Sequence, residues 1–574
     1  MTNTTNKNMP HRAAIAQSAL FGFAQRYKKP NGVWAFRFLW GRIVALFTTL
    51  VLIVWMALAG FVYFYFKYYR DYEEMTVGKA FAMPFDRVGH VRMVGDYNIK
   101  KAREYMELKQ PEKAFKSLQV GVARSPKNLD GKMLLALFYV LGFNRYDYAI
   151  QALDSGFPEA KENPEYVSMY IKIMLEQAED RKLVNVCTRL LEMGVNNRES
   201  RLNIAMALAT VYALHGSYAK SNEYLQKYGL DKSAPGLVRI AKNYWEQGLR
   251  DDAINTLKNN INVVNDKESI YSLLMSFYNI MGDYDTARQY AVLRSIENPL
   301  SVRQRVDYLK LLSKSGDKAD AAKQIEVVFD QYKNDSKSLM YVANFAAVEG
   351  NIDLMRRIYD TALQRNYPIA PFCLLYLETM LSLGDYKGAA AFSEDIMHEK
   401  PLWSKRYEDV LNCLRAVAYY ASGNPNMSEI LINEVLKRGT VPVKTIIATS
   451  RRLEALGATN LAYKMLDGAV EKEPRHQLAL TRLVQLEIKI GNSSDLDKNI
   501  LKLLQMRRPP KELIEDAREN LGSDKFIFAN DREKIIHEIV MLVNREGSDK
   551  FLSHMGDDLD GEVTSTVITD TVSN

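Results

Sequence analysis

Cysteine and histidine are the side chains best suited to binding a metal or attacking a substrate, and this chain spaces them for neither. Its three cysteines, Cys187, Cys373 and Cys413, lie far apart with no CxxC. Each falls inside a helix pattern, where a free thiol packs as a small apolar group. The seven histidines, His11, His90, His215, His398, His476, His537 and His554, form no HExxH and no helical pairing with carboxylates, so they read as surface or loop residues. No P-loop, GxGxxG or GxSxG stands between a strand and a helix. The chemistry on offer is recognition rather than turnover. No catalytic, cofactor-binding or metal-ligating residue is expected, and the chain reads as non-enzymatic.

The elements that must position any recognising residues follow a rhythm. Glycine returns every 34 residues at Gly248, Gly282, Gly316, Gly350 and Gly384, and after one longer step at Gly423, Gly457 and Gly491. Five residues after most of these comes a small residue: Ala253, Ala287, Ala321, Ala389, Ser428 and Ala462, with Met355 and Leu496 as exceptions. Seventeen residues after three of them comes Pro299, Pro401 or Pro474. Glycine takes a left-handed turn after one helix, the small residue lets a second helix approach, and proline ends it. Each period therefore predicts one antiparallel helix pair.

The segment Glu268 to Pro299, with Gly282-Asp283-Tyr284, Ala287, Tyr278 and the closing Pro299, resembles the tetratricopeptide repeats, whose unit is helix, turn, helix. Gly384-Asp385-Tyr386 with Ala389 and Pro401 repeats the pattern. Walking back from Gly248 reaches Gly216 and then poorer copies anchored at Ala178, Asn144 and Lys109, making twelve anchors between residues 95 and 509. The family's early tryptophan is missing, and its first-helix glycine is replaced by Ala102, Ala209, Ala241, Ala343, Ala416 or Ser450. Small is kept where small is needed. The steps of 38 and 39 residues, Ala178 to Gly216 and Gly384 to Gly423, mark kinks, partner contacts or loop drift. The resemblance implies an all-α fold, a right-handed α-solenoid of about twelve helix pairs whose neighbours stack to bury a continuous apolar face.

Residues 43–66 form an uncharged apolar run of 24. At about 1.5 Å per residue it spans roughly 36 Å, enough for one transmembrane helix. Trp34 and Trp40 flank one end, and Tyr63, Tyr65, Tyr68 and Tyr69 the other, as headgroup-seeking rings do. The leader, 1–42, holds seven basic residues and no acid, so it is expected in the cytoplasm, with the array periplasmic or otherwise extracytoplasmic at the inner (plasma) membrane. A cleaved signal peptide ending near Ala57-Leu58-Ala59 is the competing reading, opposed by the long leader. Those seven residues account for the whole net charge of +7. The remainder is neutral, which argues against nucleic-acid binding. Within the leader, residues 12–29 are expected either as a short helix with Ala16, Leu20, Phe23 and Tyr27 on one face, lying among anionic lipids, or as a disordered segment. Residues 67–94 read as a stalk, 510–555 as capping helices, and 556–574 as a disordered tail.

The resemblance places ligands on the concave wall built by first helices. Counting from the anchors puts Arg239, Lys242 and Trp245 there in one repeat, Ser272, Ser276 and Asn279 in the next, and Arg303 and Lys310 in the third. Such a polar, locally basic strip could hold an extended acidic peptide or a glycan, or be an ordinary solvated face. The carboxylate clamp of some family members is absent. The expected function is a membrane-anchored scaffold that organises protein partners of a cell-envelope assembly or secretion machine, exopolysaccharide export included. A groove receptor for peptide or glycan, or an import-receptor-like protein with a cytosolic array, are the alternatives.

Overall fold

The computed structural model describes residues 17–544 apart from 30–31, 71, 73–74, 84, 400, 492–494, 510 and 522–531. The tail at 556–574 lies outside the described residues. The chain divides into two compact units, one ending at Ala160 and the other beginning at Lys161.

The first unit opens with three antiparallel strands, β1 (Gln17–Ala19), β2 (Ala24–Lys28) and β3 (Trp34–Phe38), paired in the order β1-β2-β3. This corrects the expected leader helix. Trp34, Phe36 and Phe38 alternate at the period of a strand, and they offer β2 a ladder in which Arg26 faces Phe36. A lone helix with the Ala16, Leu20, Phe23, Tyr27 stripe would satisfy its backbone only over a few turns and have no surface to pack on. Gly22 and Gly32, with φ of 87° and 78°, supply the turns.

Helix α1 (Trp40–Phe64) runs on through a π-helical turn to Tyr69, and this continuous helix is long and apolar enough to cross a membrane. Leu46, Phe47, Leu50, Ile53 and Leu58 along it are exposed, unlike the side chains of a soluble core helix. The stalk segment is itself helical and packed. Helix α2 (Val77–Ala82) folds against α1, where Trp55 Nε1 donates to the Phe81 carbonyl at 3.3 Å and Trp55 stacks on Phe85 at 4.8 Å. Met75, Ala80, Met93 and Tyr97 share a small core with Ala59. These apolar residues would be left in water by an extended stalk, which is why the segment folds back. Helices α3 (Arg87–Glu107) and α4 (Pro111–Arg124) then cross backbone to backbone at Gly95 and Gly121.

From there on the chain is a succession of helix pairs. All twelve anchors have positive φ, including the non-glycine ones, Lys109 at 55°, Asn144 at 53° and Ala178 at 53°. The residue after many anchors caps the next helix. Asp283 accepts from the Thr286 N–H at 3.0 Å, Asn351 from Leu354 at 3.0 Å and Asp385 from Gly388 at 3.0 Å. Stop and start signals thus sit side by side, which makes the turn tight. Ala102, Ala209, Ala241, Ala343, Ala416 and Ser450 are all buried, as are the small residues after the anchors. Because a non-glycine residue pays about 1 kcal/mol in the left-handed region, Ala178→Gly is expected to raise the local stability by up to about 1 kcal/mol. Slower hydrogen exchange in the flanking helices would show it.

The apolar core of the second unit is not one continuous face. Its C-terminal part is, from Cys373 to Ile539, and it includes Leu513, Ala517 and Leu521 of the helix Lys511–Leu521. Among the described residues the earlier repeats hold smaller clusters; between those around Phe277 and Phe345 lies one of Ala287, Ala291 and Leu311, which touches the Phe277 cluster through the half-buried Tyr278. The helix Tyr284–Glu297 spreads its apolar residues around its circumference instead of along one stripe, so it cannot bury them all. Arg294, nearly buried, fills the junction, donating to Glu268 at 3.0 Å and Asp307 at 2.8 Å.

One carboxylate sits inside the C-terminal core. Glu487 is fully buried, accepts from Asn499 at 3.0 Å through Oε1, and leaves Oε2 without a partner. Burial, eased by Asn499 and aggravated by Asp495, pushes its pKa up to about 7. The folded state therefore holds this proton where the unfolded chain has released it, and stability falls as pH rises from the ordinary carboxyl range through 7. Glu487→Gln should flatten that dependence and add about 2 kcal/mol above neutrality, allowing for local relaxation. Denaturant midpoints compared between acidic and mildly alkaline buffer would test it.

The second unit also closes on itself. After the helix Leu496–Leu504, the Arg507 guanidinium meets Asp180 through two bonds of 2.7 Å and donates to the Leu175 carbonyl at 2.7 Å. Asp180 also contacts His215 Nε2 at 3.1 Å, and both side chains are almost wholly buried. Arg508 N–H donates to the Leu214 carbonyl at 2.9 Å, and Arg475 pairs with Glu179. His215, expected at the surface, is thus an interior residue of a contact that spans the array.

Candidate partner-binding face

The residues expected on the inner wall all lie on first helices: Ala234–Glu246, Lys267–Met281 and Val302–Lys314. Arg239 and Lys242 are one helical turn apart. Burial lowers the pKa of the Arg239 guanidinium, and burial together with Arg239's charge lowers that of Lys242. Trp245 is half-buried and stacks face to face on the buried Phe277, centroids 4.0 Å apart and planes 3° from parallel. It therefore packs one first helix on the next, and a truncation there would disturb packing as well as any ligand contact. Asn279 accepts from Lys314 of the following repeat at 3.1 Å. Lys310 lies 3.7 Å from Asp307 on its own helix. Ser272 and Ser276 are half-buried and Arg303 is exposed. The eight are spread over three successive first helices.

Two features escaped the repeat register. The first is a hollow of about 600 Å³ lined by Arg198, Arg201, Lys227, Lys232, Tyr228 and Ser233 among others, with no carboxylate in its lining. Its cations come from the start of the helix Arg198–Leu214, the end of Tyr218–Lys227 and the short turn Leu230–Lys232. The second is apolar. Val292, Leu293, Ile296 and Leu300 are exposed, Ile296 at 67% and Leu300 at 82%, where the core is thinnest. Four apolar residues within nine positions, unburied by their own repeat, are the kind of surface that partners cover. The break of helical periodicity over 284–297 was visible in the sequence, but only the packing shows which residues stay outside.

The thiols offer no reactivity. Cys187, Cys373 and Cys413 are buried and free. Burial pushes their pKa values up to about 12, 11 and 12. Among the described residues no cluster of His, Cys, Asp and Glu is placed to hold a metal ion.

No family model matches the chain, and no curated protein matches it. Among solved structures it is similar to Naa15/Naa10 bound to HypK-THB, at 14% identity and a TM-score of 0.30, covering 87% of this chain and 77% of that one. It is also similar to yeast Tom70, at 9% identity and 0.30, covering 75% and 95%. A tetratricopeptide repeat protein from Parabacteroides merdae gives 13% and 0.28, covering 44% and 98%. At such scores these likenesses carry no functional argument. The chain's own helix pairs do carry the fold: their 34-residue period, the left-handed anchor at every turn and the small residue at most places where the two helices meet make it an α-solenoid of helix pairs, the architecture that the resemblance to the tetratricopeptide unit implied.

Proposed function

We propose that this chain is a single-pass, membrane-anchored scaffold whose array gathers protein partners of a cell-envelope assembly or secretion machine. The observation that carries the binding half is the exposed apolar patch Val292, Leu293, Ile296 and Leu300, set where the core is interrupted. Close by in sequence runs the basic strip of Arg303 and Lys310, so a partner with an apolar anchor and acidic flanks would be complementary. The observation behind the anchoring half is the exposed apolar helix Trp40–Tyr69 following a leader without acids.

Two measurements test the two halves. Protease added to spheroplasts of the native cells should digest the array and leave the leader with α1. An array that resists until lysis overturns the topology and favours a cytosolic array. A photocrosslinker placed at Ile296 should capture one defined envelope protein, and Ile296→Asp should abolish its co-purification. Retention of that partner by Ile296→Asp would remove the patch from the binding surface.

A further inference from the structure

Among the described residues, the three strands before α1 carry an open face. Side chains alternate across a strand, so Trp34, Phe36 and Phe38 of β3 point to one side, and each is about half exposed, at 45%, 53% and 50%. The register puts Arg26 opposite Phe36 on that same side, and the Arg26 guanidinium lies 4.2 Å from the centre of the Trp34 ring. Trp40, 70% exposed, continues the aromatic series at the start of α1, with its ring 6.4 Å from that of Phe38. A small sheet needs an apolar face covered by something to be stable. Within the sheet only Ala24 is buried among the described side chains.

The sheet is also held in a defined place. Only Leu39 separates β3 from α1, and its N–H donates to the Phe23 carbonyl at 2.8 Å. Arg42, on the first turn of α1, donates to the Gly22 carbonyl at 3.1 Å. Between sheet and helix lies a hollow of about 780 Å³ whose lining includes Arg37, Trp40 and Arg42. No acid occurs in residues 1–42 to offset these cations. Aromatic rings and arginines at one end of an apolar helix match the headgroup layer of an anionic leaflet in both polarity and charge.

We infer that the strands β1, β2 and β3 form a β-sheet platform that lies on the leaflet from which α1 departs, with Trp34, Phe36 and Phe38 sunk among acyl-chain ends and Arg26 and Arg42 on anionic lipid phosphates. This rests on the reading of α1 as a membrane anchor and goes beyond it. The leader is then a fixed part of the anchor that resists tilt and rotation of α1, instead of a tether.

Full-length protein carrying single nitroxide labels, in nanodiscs of phosphatidylcholine and phosphatidylglycerol, tests it. The native thiols are buried and need no removal. Labels on Phe36→Cys and Phe38→Cys should be several-fold more accessible to oxygen than to a water-soluble nickel complex, and labels on Ala35→Cys and Arg37→Cys the reverse. Arg26→Glu should reduce the contrast, as should phosphatidylcholine alone. Equal accessibility at 36 and 37, or shielding of 36 from both reagents, overturns the platform. A label on Leu50→Cys separates the two readings: if it meets oxygen while 36 does not, the platform alone fails, and if neither meets oxygen the anchor itself fails.

Discussion

Asp180→Ala is expected to cost the second unit about 3–5 kcal/mol, the penalty typical of leaving one member of a buried ion pair alone. Arg507 would lose both of its 2.7 Å bonds to the carboxylate, and His215 its 3.1 Å contact. The pair should be far more tolerant of joint replacement. In Asp180→Leu with Arg507→Met no charge is stranded, and the loss should fall short of the two single losses by about 1–3 kcal/mol. A repeat array need not unfold in one step, so native-state hydrogen exchange is the suitable measurement. The Arg508 amide, which donates to Leu214 across the closure, should lose its protection in Asp180→Ala. Protection unchanged there would mean that the closure does not depend on the ion pair.

The same contact has a pH signature. Burial by itself pushes the Asp180 carboxyl up, but hydrogen bonds from Arg507 and then His215 outweigh it, and the net direction is down from 3.8. A carboxylate with a depressed folded pKa contributes its full stability above the unfolded value and loses it as pH falls through the folded one. Opening of the closure should therefore appear on the acid side of the ordinary aspartate range. The Glu487 effect runs the other way and over a different window.

Gly95→Leu is expected to cost the first unit about 3 kcal/mol or more. A Cβ at Gly95 would stand 2.7 Å from the backbone nitrogen of Ser125 and 2.8 Å from the Gly121 carbonyl oxygen. Neither is the end of a flexible side chain, so α3 and α4 would have to separate. Separation would also break the bond from Ser125 Oγ to Asp96 at 2.7 Å and that from Asn128 to the same carboxylate at 2.8 Å. Gly95→Ala should show the same effect at about 1–3 kcal/mol. Limited proteolysis within 87–128 reads the loss directly, with the helices beyond 420 as an internal control.

Much of the fold could be read from residue spacing. The anchors Lys109, Asn144 and Ala178 were reached by walking back from Gly248, Asn144 with Tyr146 and Ala149 and Lys109 with Ala114 and Pro126 beside them, and each adopts the left-handed turn that glycine takes elsewhere. The leader was misjudged because Ala16, Leu20, Phe23 and Tyr27 do fall at helical spacing. The competing period of two in Trp34, Phe36 and Phe38, with Gly32 as the turn, needed the partner strand to give it weight. The eight residues counted from the anchors lie on the helices Ala234–Glu246, Lys267–Met281 and Val302–Lys314. Trp245's stack on Phe277 and the cationic hollow at Arg198, Arg201, Lys227 and Lys232 depend on contacts between repeats, which no single repeat displays.

The sequence by itself determined what is local: where each helix stops, which small residue admits its neighbour, and which stretch is apolar enough to cross a bilayer. Those demands are met within one or two turns, and each leaves a residue type behind. Only the tertiary structure decided that Asp180 meets Arg507, 327 residues later, and that the Val292 to Leu300 surface stays uncovered. Both follow from small rotations and offsets accumulated over many repeats. Such sums are carried by packing along the whole array, and no short stretch of chain encodes them.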